Sequence, residues 1–139
     1  MSGRPGEWRL ELPATLAAVE QFCVDFRLWR ARACAMLDSF SAELLLREAL
    51  TNSVLHGCAG EPGQSISCLL RVKPGRLVIA IKDAGKGFDW RSKWNRRSDV
   101  LDTNGRGIEI IRQYANLVRF NPKGNSLTMV KRFPQKGPA

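Results

Sequence analysis

Glu48, Asn52 and His56 stand four residues apart, so on one helix they fall within an arc of about 80°. The residues around them (Leu44, Leu45, Leu46, Ala49, Leu50, Val54, Leu55) are strongly apolar, which places Glu48 and Asn52 at the border of a buried wall. A carboxylate beside such a wall has its pKa raised and suits a general base, and an Asn amide oxygen is a neutral ligand for Mg2+. The plainer alternative is a Glu in a surface ion pair and an Asn bonded to a loop. His56, which can meet the carbonyls of its own helix end, is read as closing the helix.

Two further places carry chemistry. Asp83-Ala-Gly85-Lys-Gly87 ends an apolar strand: the glycines let the backbone approach a flat ligand, and the carboxylate can accept from an exocyclic amine such as adenine N6. A tight turn capped by its own Asp would use the same residues. Gly105-Arg-Gly107-Ile opens a helix, where exposed N–H groups and the positive end of the helix dipole favour phosphate oxygens. It lacks the third glycine of a dinucleotide fingerprint and follows no strand, and no Gly-x-x-x-x-Gly-Lys-Ser/Thr occurs, so Rossmann and P-loop sites are excluded.

The elements that must hold these residues follow from periodicity. Trp8 to Leu12 alternates as a short strand ended by Pro13. Ala14 to Leu37 repeats apolar residues at three and four as an amphipathic helix, and Ser39 or Ser41 caps a second helix ending near Gly57 or Gly60. Ser65–Lys73 and Arg76–Lys82, joined by Pro74-Gly75, form an antiparallel hairpin. Phe88 to Asn104 is polar and aperiodic, the pattern of a long lid. A short helix over Ile108–Tyr114 precedes a closing hairpin, Asn116–Phe120 and Ser126–Phe133. The expected class is α+β, a two-layer α/β sandwich with helices on one side of a mainly antiparallel sheet, in a single domain over residues 1–139 with its core at about 7–133 and its lid at about 88–104.

Composition narrows the function. With 139 residues, 44% apolar and 25% charged, the chain suits one folded domain and neither a disordered segment nor a membrane bundle. The N-terminus has no secretory apolar region and no run reaches a membrane span, so a cytoplasmic location is expected. Cys23, Cys34, Cys58 and Cys68 lack zinc spacing and have one His for company, and buried free thiols are expected.

Base, adenine pocket and phosphate cradle, in that chain order, resemble the GHKL ATPases. Glu48-Ala-Leu-Thr-Asn52-Ser-Val-Leu-His56-Gly57 is similar to the N box, Asp83-Ala-Gly85-Lys-Gly87 to the G1 box and Gly105-Arg-Gly107-Ile to the G2 box. The size, N-terminal strand and long helix most resemble the bacterial anti-sigma factor serine kinases. The resemblance implies a Bergerat-type fold binding ATP and Mg2+ beneath a flexible lid, Asn52 holding Mg2+, Asp83 holding the adenine amine, and Gly85 and Gly87 admitting the base. It implies Gly105, Arg106 and Gly107 at the phosphates, Ser126 of Gly124-Asn125-Ser126 on the adenine side, where Ser replaces the usual Thr, and Glu48 as general base. Arg106 either stabilises charge at the transferred group or is a solvated lid arginine, and Lys86 faces solvent.

The function so implied is an anti-sigma factor that binds a sigma factor and phosphorylates a serine on an anti-anti-sigma protein, as a homodimer. The alternative is a module that uses nucleotide only as a switch, or binds a partner without transfer. A histidine kinase would need a helical dimerisation domain for which 139 residues leave no room. The formal charge of +9 first suggests nucleic acid. No nucleic-acid motif accompanies it, and the excess concentrates after Glu109 and in the lid, beside phosphate and a basic face for an acidic protein partner.

Overall fold

The computed structural model describes residues 6–58, 61, 63–85 and 106–135, with Arg106 described by its backbone alone. The expected lid at 88–104, with Lys86, Gly87 and Gly105, lies outside the described residues.

Five strands form one antiparallel sheet: β1 (Glu7–Pro13), β2 (Ser65–Lys73), β3 (Arg76–Asp83), β4 (Leu117–Phe120) and β5 (Ser126–Arg132). Their order is β1-β2-β3-β5-β4. The hairpin turns back at Lys73↔Arg76, as its Pro-Gly predicts, and the closing hairpin inserts β5, not β4, beside β3. That insertion pairs Lys82 with Ser126 and so sets the start of β5 against the end of β3.

Three α-helices, α1 (Leu16–Ala33), α2 (Ser39–Asn52) and α3 (Arg106–Tyr114), accompany the sheet. Helix α1 is shorter than the expected 14–37. The Thr15 hydroxyl caps its start by accepting from Ala18 N at 3.1 Å, and the Arg30 guanidinium spans its end by donating to the carbonyls of Ala35 and Leu37, both at 3.0 Å. The cap of α2 is neither Ser39 nor Ser41 but Asp38, whose carboxylate accepts from Ser41 N at 3.0 Å; an anion at that end also meets the helix dipole favourably.

The core lies between the layers. Ala42, Leu45, Leu46, Ala49 and Leu50 of α2 are buried, as are the alternating Ile66, Cys68 and Leu70 of β2 and Leu77, Ile79 and Ile81 of β3. Each large side chain among them contributes about 1.5–3 kcal/mol by leaving water. Trp8 of β1 stacks on Phe22 of α1 with ring centroids 5.2 Å apart and closes the core at one edge. The ion pairs Arg27–Glu43 and Arg47–Glu20 bridge α1 and α2 at the rim, where such pairs are worth under about 1 kcal/mol, so apolar packing holds the layers. All four cysteines are buried free thiols, as expected. Burial pushes the thiols of Cys23 and Cys34 up to about 11 and that of Cys68 to about 12. Among the described residues no helix is long and apolar enough to cross a membrane.

Candidate nucleotide site

The inward positions of β3 run Leu77, Ile79, Ile81, Asp83, so the period of two that buries three aliphatic side chains delivers a carboxylate at the last step. Asp83 is only 5% exposed. Burial raises its pKa, opposed by the hydrogen bonds from Gly85 N–H and the Ser53 hydroxyl and by the charge of Lys123. The Gly85 N–H donates to Asp83 Oδ1 at 2.8 Å.

Two glycines make this arrangement possible. A Cβ on Gly57 would stand 2.3 Å from Asp83 Oδ2, and one on Gly85 would stand 1.6 Å from the Gly57 carbonyl oxygen. The end of the second helix therefore lies directly on the turn after β3, backbone against backbone. Both glycines fall within the quoted motifs, but only Gly85 has an expected role; that of Gly57 comes from this contact.

What brings Gly57 there is a change of helix type. After Asn52 the chain continues as one π-helical turn, Ser53–Gly57, in which Cys58 N donates to Ser53 O at 2.8 Å across five residues. Such turns insert a residue into the helical repeat and recur at functional sites. The expectation of Glu48, Asn52 and His56 on a single α-helical stripe is corrected accordingly: the regular spacing ends at Asn52, and His56 stands exposed on the widened turn.

Glu48 and Asn52 do share a face, and α3 packs on it. A Cβ on Gly107 would lie 3.0 Å from both Nδ2 and Oδ1 of Asn52 and 3.2 Å from Glu48 Oε2. Residues from the first and third motifs, about 55 positions apart in the chain, thus meet at the start of α3, fastened there by the buried Ile108 and Ile111. Glu48 is half-buried, and loss of water raises its pKa against the opposing charge of Arg47. The Asn52 Nδ2 is buried with no hydrogen-bond partner among the described residues. An orphaned buried amide costs free energy of order 1–3 kcal/mol, which a ligand reaching it can recover.

A cleft lined by Ala49, Asn52, Asp83, Phe120, Asn125 and Ser126 joins the two ends of the site. It encloses about 10 Å3, room for about one water, so any larger ligand would have to part these walls. Ser126 lines it together with Asp83. A larger shallow groove of about 570 Å3 lies on the opposite face of the sheet, over Leu69 and Ala80. Of the motif residues only Ser126 borders that groove, so chemistry, not size, identifies the site.

The residues present suit Mg2+. The described chain has no cluster of three or more His, Cys, Asp or Glu able to hold a metal alone. Mg2+ is characteristically held by one or two protein oxygens together with substrate phosphates, and the Asn52 Oδ1, beside Glu48 at the start of α3, is an oxygen of that kind, while the unpartnered Nδ2 is a donor suited to a phosphate oxygen. Of the sequence-derived candidates, the described residues place Asp83, Gly85 and Ser126 at one end of the cleft and Glu48, Asn52 and Gly107 at the other. Reasoning from sequence missed Ser53, Gly57 and Asn125. The alternation of β3 signalled the burial of Asp83; no local pattern signalled its partners.

Comparison with known proteins identifies the family and the fold. The family model of the histidine kinase-like ATPase domain matches residues 12–131. No curated protein matches the chain. Among solved structures, the histidine kinase domain from the Erythrobacter litoralis EL346 blue-light activated histidine kinase is similar in fold, with a TM-score of 0.52 and 18% identity over 88% of this chain. The chain spans 61% of that domain's length. With the family model covering nearly all of the described sheet and helices, the chain belongs to the histidine kinase-like ATPase family of the GHKL superfamily and is an ATP-binding module of that type.

Proposed function

We propose that this protein is an ATP-dependent protein serine kinase and anti-sigma factor, which binds a sigma factor and phosphorylates a serine on an anti-anti-sigma protein. The observation that carries the reading is the half-buried Glu48 carboxylate, its pKa raised, next to Asn52 and the start of α3. Asp83, its carboxylate fixed by Gly85 N–H, accepts from the adenine amine, and the backbone at Gly107 faces the phosphates. Glu48 takes the proton of the acceptor serine as its Oγ bonds to the γ-phosphorus, while the bond to the β–γ bridging oxygen breaks and ADP leaves. Asn52 would hold Mg2+, which when bound neutralises phosphate charge. Arg106, at the first position of α3, is assigned to the charge of the transferred group. The proposed assembly is a cytoplasmic homodimer, with the basic residues turned to acidic protein partners and not to nucleic acid.

The test is incubation with labelled Mg-ATP and a small serine-bearing antagonist from the same cell, followed by mass spectrometry. Phosphoserine is expected on the antagonist. Glu48→Ala should retain ATP binding and lose transfer by about 10²–10⁴-fold. ATP binding without phosphoserine in the wild type would replace the kinase by a nucleotide-driven switch, and unchanged transfer in Glu48→Ala would remove the base assignment.

A further inference from the structure

Asn121 and Asn125 lie at the two ends of the loop joining β4 to β5, where sequence alone reads a hairpin turn. Three backbone N–H groups, of Gly124, Asn125 and Ser126, converge on Asn121 Oδ1 at 2.8, 3.0 and 3.1 Å. Only an oxygen can accept three donors, so the orientation of this amide is determined. Its Nδ2 then donates to Asn125 Oδ1 at 2.6 Å, which determines the second amide in turn. The Asn125 Nδ2 is left pointing across the sheet, where it donates to the carbonyls of Asp83 at 3.2 Å and Gly85 at 3.4 Å. Asn125 O also accepts from Asp83 N at 3.0 Å.

We propose that Asn125, oriented by Asn121, is a positioning residue for adenine binding: its amide clamps the Asp83–Gly85 turn so that the carboxylate presents a fixed acceptor to the base. The proposal rests on the reading of Asp83 as the adenine acceptor. The clamp holds both ends of the turn whose internal Gly85 N–H to Asp83 Oδ1 bond sets the carboxylate, and it comes from the loop residue just before β5, the strand neighbouring β3. Asn125 lines the cleft, but its amide is engaged by Asn121 and by the carbonyls of the turn, so the effect proposed for that amide is transmitted through the turn. The phosphate end, around Glu48, Asn52 and Gly107, receives none of these bonds.

Two nearly isosteric variants test this. Asn125→Asp removes the donor to both carbonyls. Asn121→Asp keeps the three backbone acceptor contacts but supplies an acceptor where Asn125 needs a donor; the Asn125 amide then turns over and faces the Asp83 and Gly85 carbonyls with its oxygen. Each variant should weaken ATP and adenosine about tenfold by titration. Affinity for inorganic tripolyphosphate with Mg2+ should stay within about twofold, and the double variant should be no worse than the worse single one. Equal loss of adenosine and tripolyphosphate would show a general structural role and overturn the proposal, as would unaltered ATP affinity in both variants. A wild-type protein that binds no ATP would overturn the nucleotide reading itself, and the role of Asn125 with it.

Discussion

The two ends of the cleft are built in opposite ways. At the Asp83 end, proposed to hold adenine, the carboxylate is enclosed by Ser53, Gly57 and Gly85 and backed by Asn125, with the clearances at Gly57 and Gly85 so small that no side chain enters. At the Glu48 end Glu48 and Asn52 stand beside Gly107 with a raised carboxyl pKa and an amide nitrogen lacking a partner among the described residues. One end is satisfied by the protein; the other leaves polar groups for a ligand to satisfy. On the proposed reading, the acceptor for the base is held in place by the protein before nucleotide arrives, while the polar groups at the other end are completed only by phosphates and their counter-ion.

The sharpest way to break this contrast is Gly85→Ala. Its methyl group must displace the Gly57 backbone, and overpacking of this kind costs about 1–3 kcal/mol, so Tm should drop by several degrees and ATP binding should be lost. Normal ATP affinity in this variant would show that the adenine end tolerates rearrangement. At the other end Asn52→Ala should do the reverse: it deletes the buried amide nitrogen that has no partner among the described residues, so the nucleotide-free protein should melt no lower, while affinity falls about 10–100-fold for Mg-ATP, which loses both an oxygen ligand and a donor, and less for Mg-free ATP, which loses only the donor. A large drop in the Tm of the free protein would mean that the amide is already satisfied.

The smallest expected effect is on pH dependence. Because burial raises the pKa of Asp83 in the folded state, the native protein binds that proton more tightly than the unfolded chain. Its contribution to stability therefore grows as pH falls through the folded value towards the ordinary aspartate range, and adenosine affinity, which needs the ionised acceptor, declines over the same interval. Asp83→Asn should flatten both trends; an adenosine affinity that rises on acidification would exclude Asp83 as acceptor.

Much of this arrangement follows from periodicity. The strand β3 and its final inward carboxylate are readable from the alternation Leu77, Ile79, Ile81, Asp83, and the Glu48–Asn52 face from a spacing of four. Tertiary contacts supplied the rest. Gly57 and Gly85 need each other across 28 residues, and neither neighbourhood signals the match. The π turn at Ser53–Gly57 has no propensity signature, which is why His56 was placed on the wrong stripe. Ser39 or Ser41 is the expected cap of α2 and Asp38 takes the position, because Ser and Asp both favour it and only the backbone decides between them. Asn125 reads as turn chemistry until β5 is known to lie beside β3.

The buried cysteines give the protein a built-in clock. At neutral pH a thiol raised to about 11 or 12 is almost entirely unreactive, so alkylation of Cys23, Cys34 or Cys68 measures how often the surrounding structure opens rather than the chemistry of the sulfur. Cys68, in the middle strand of β1-β2-β3, times the opening of the sheet, whereas Cys58, directly after the π turn and within reach of the charge of Asp83, times the nucleotide end. The ratio of the two labelling rates, with and without ATP, separates local breathing of the site from unfolding of the whole protein without any introduced probe.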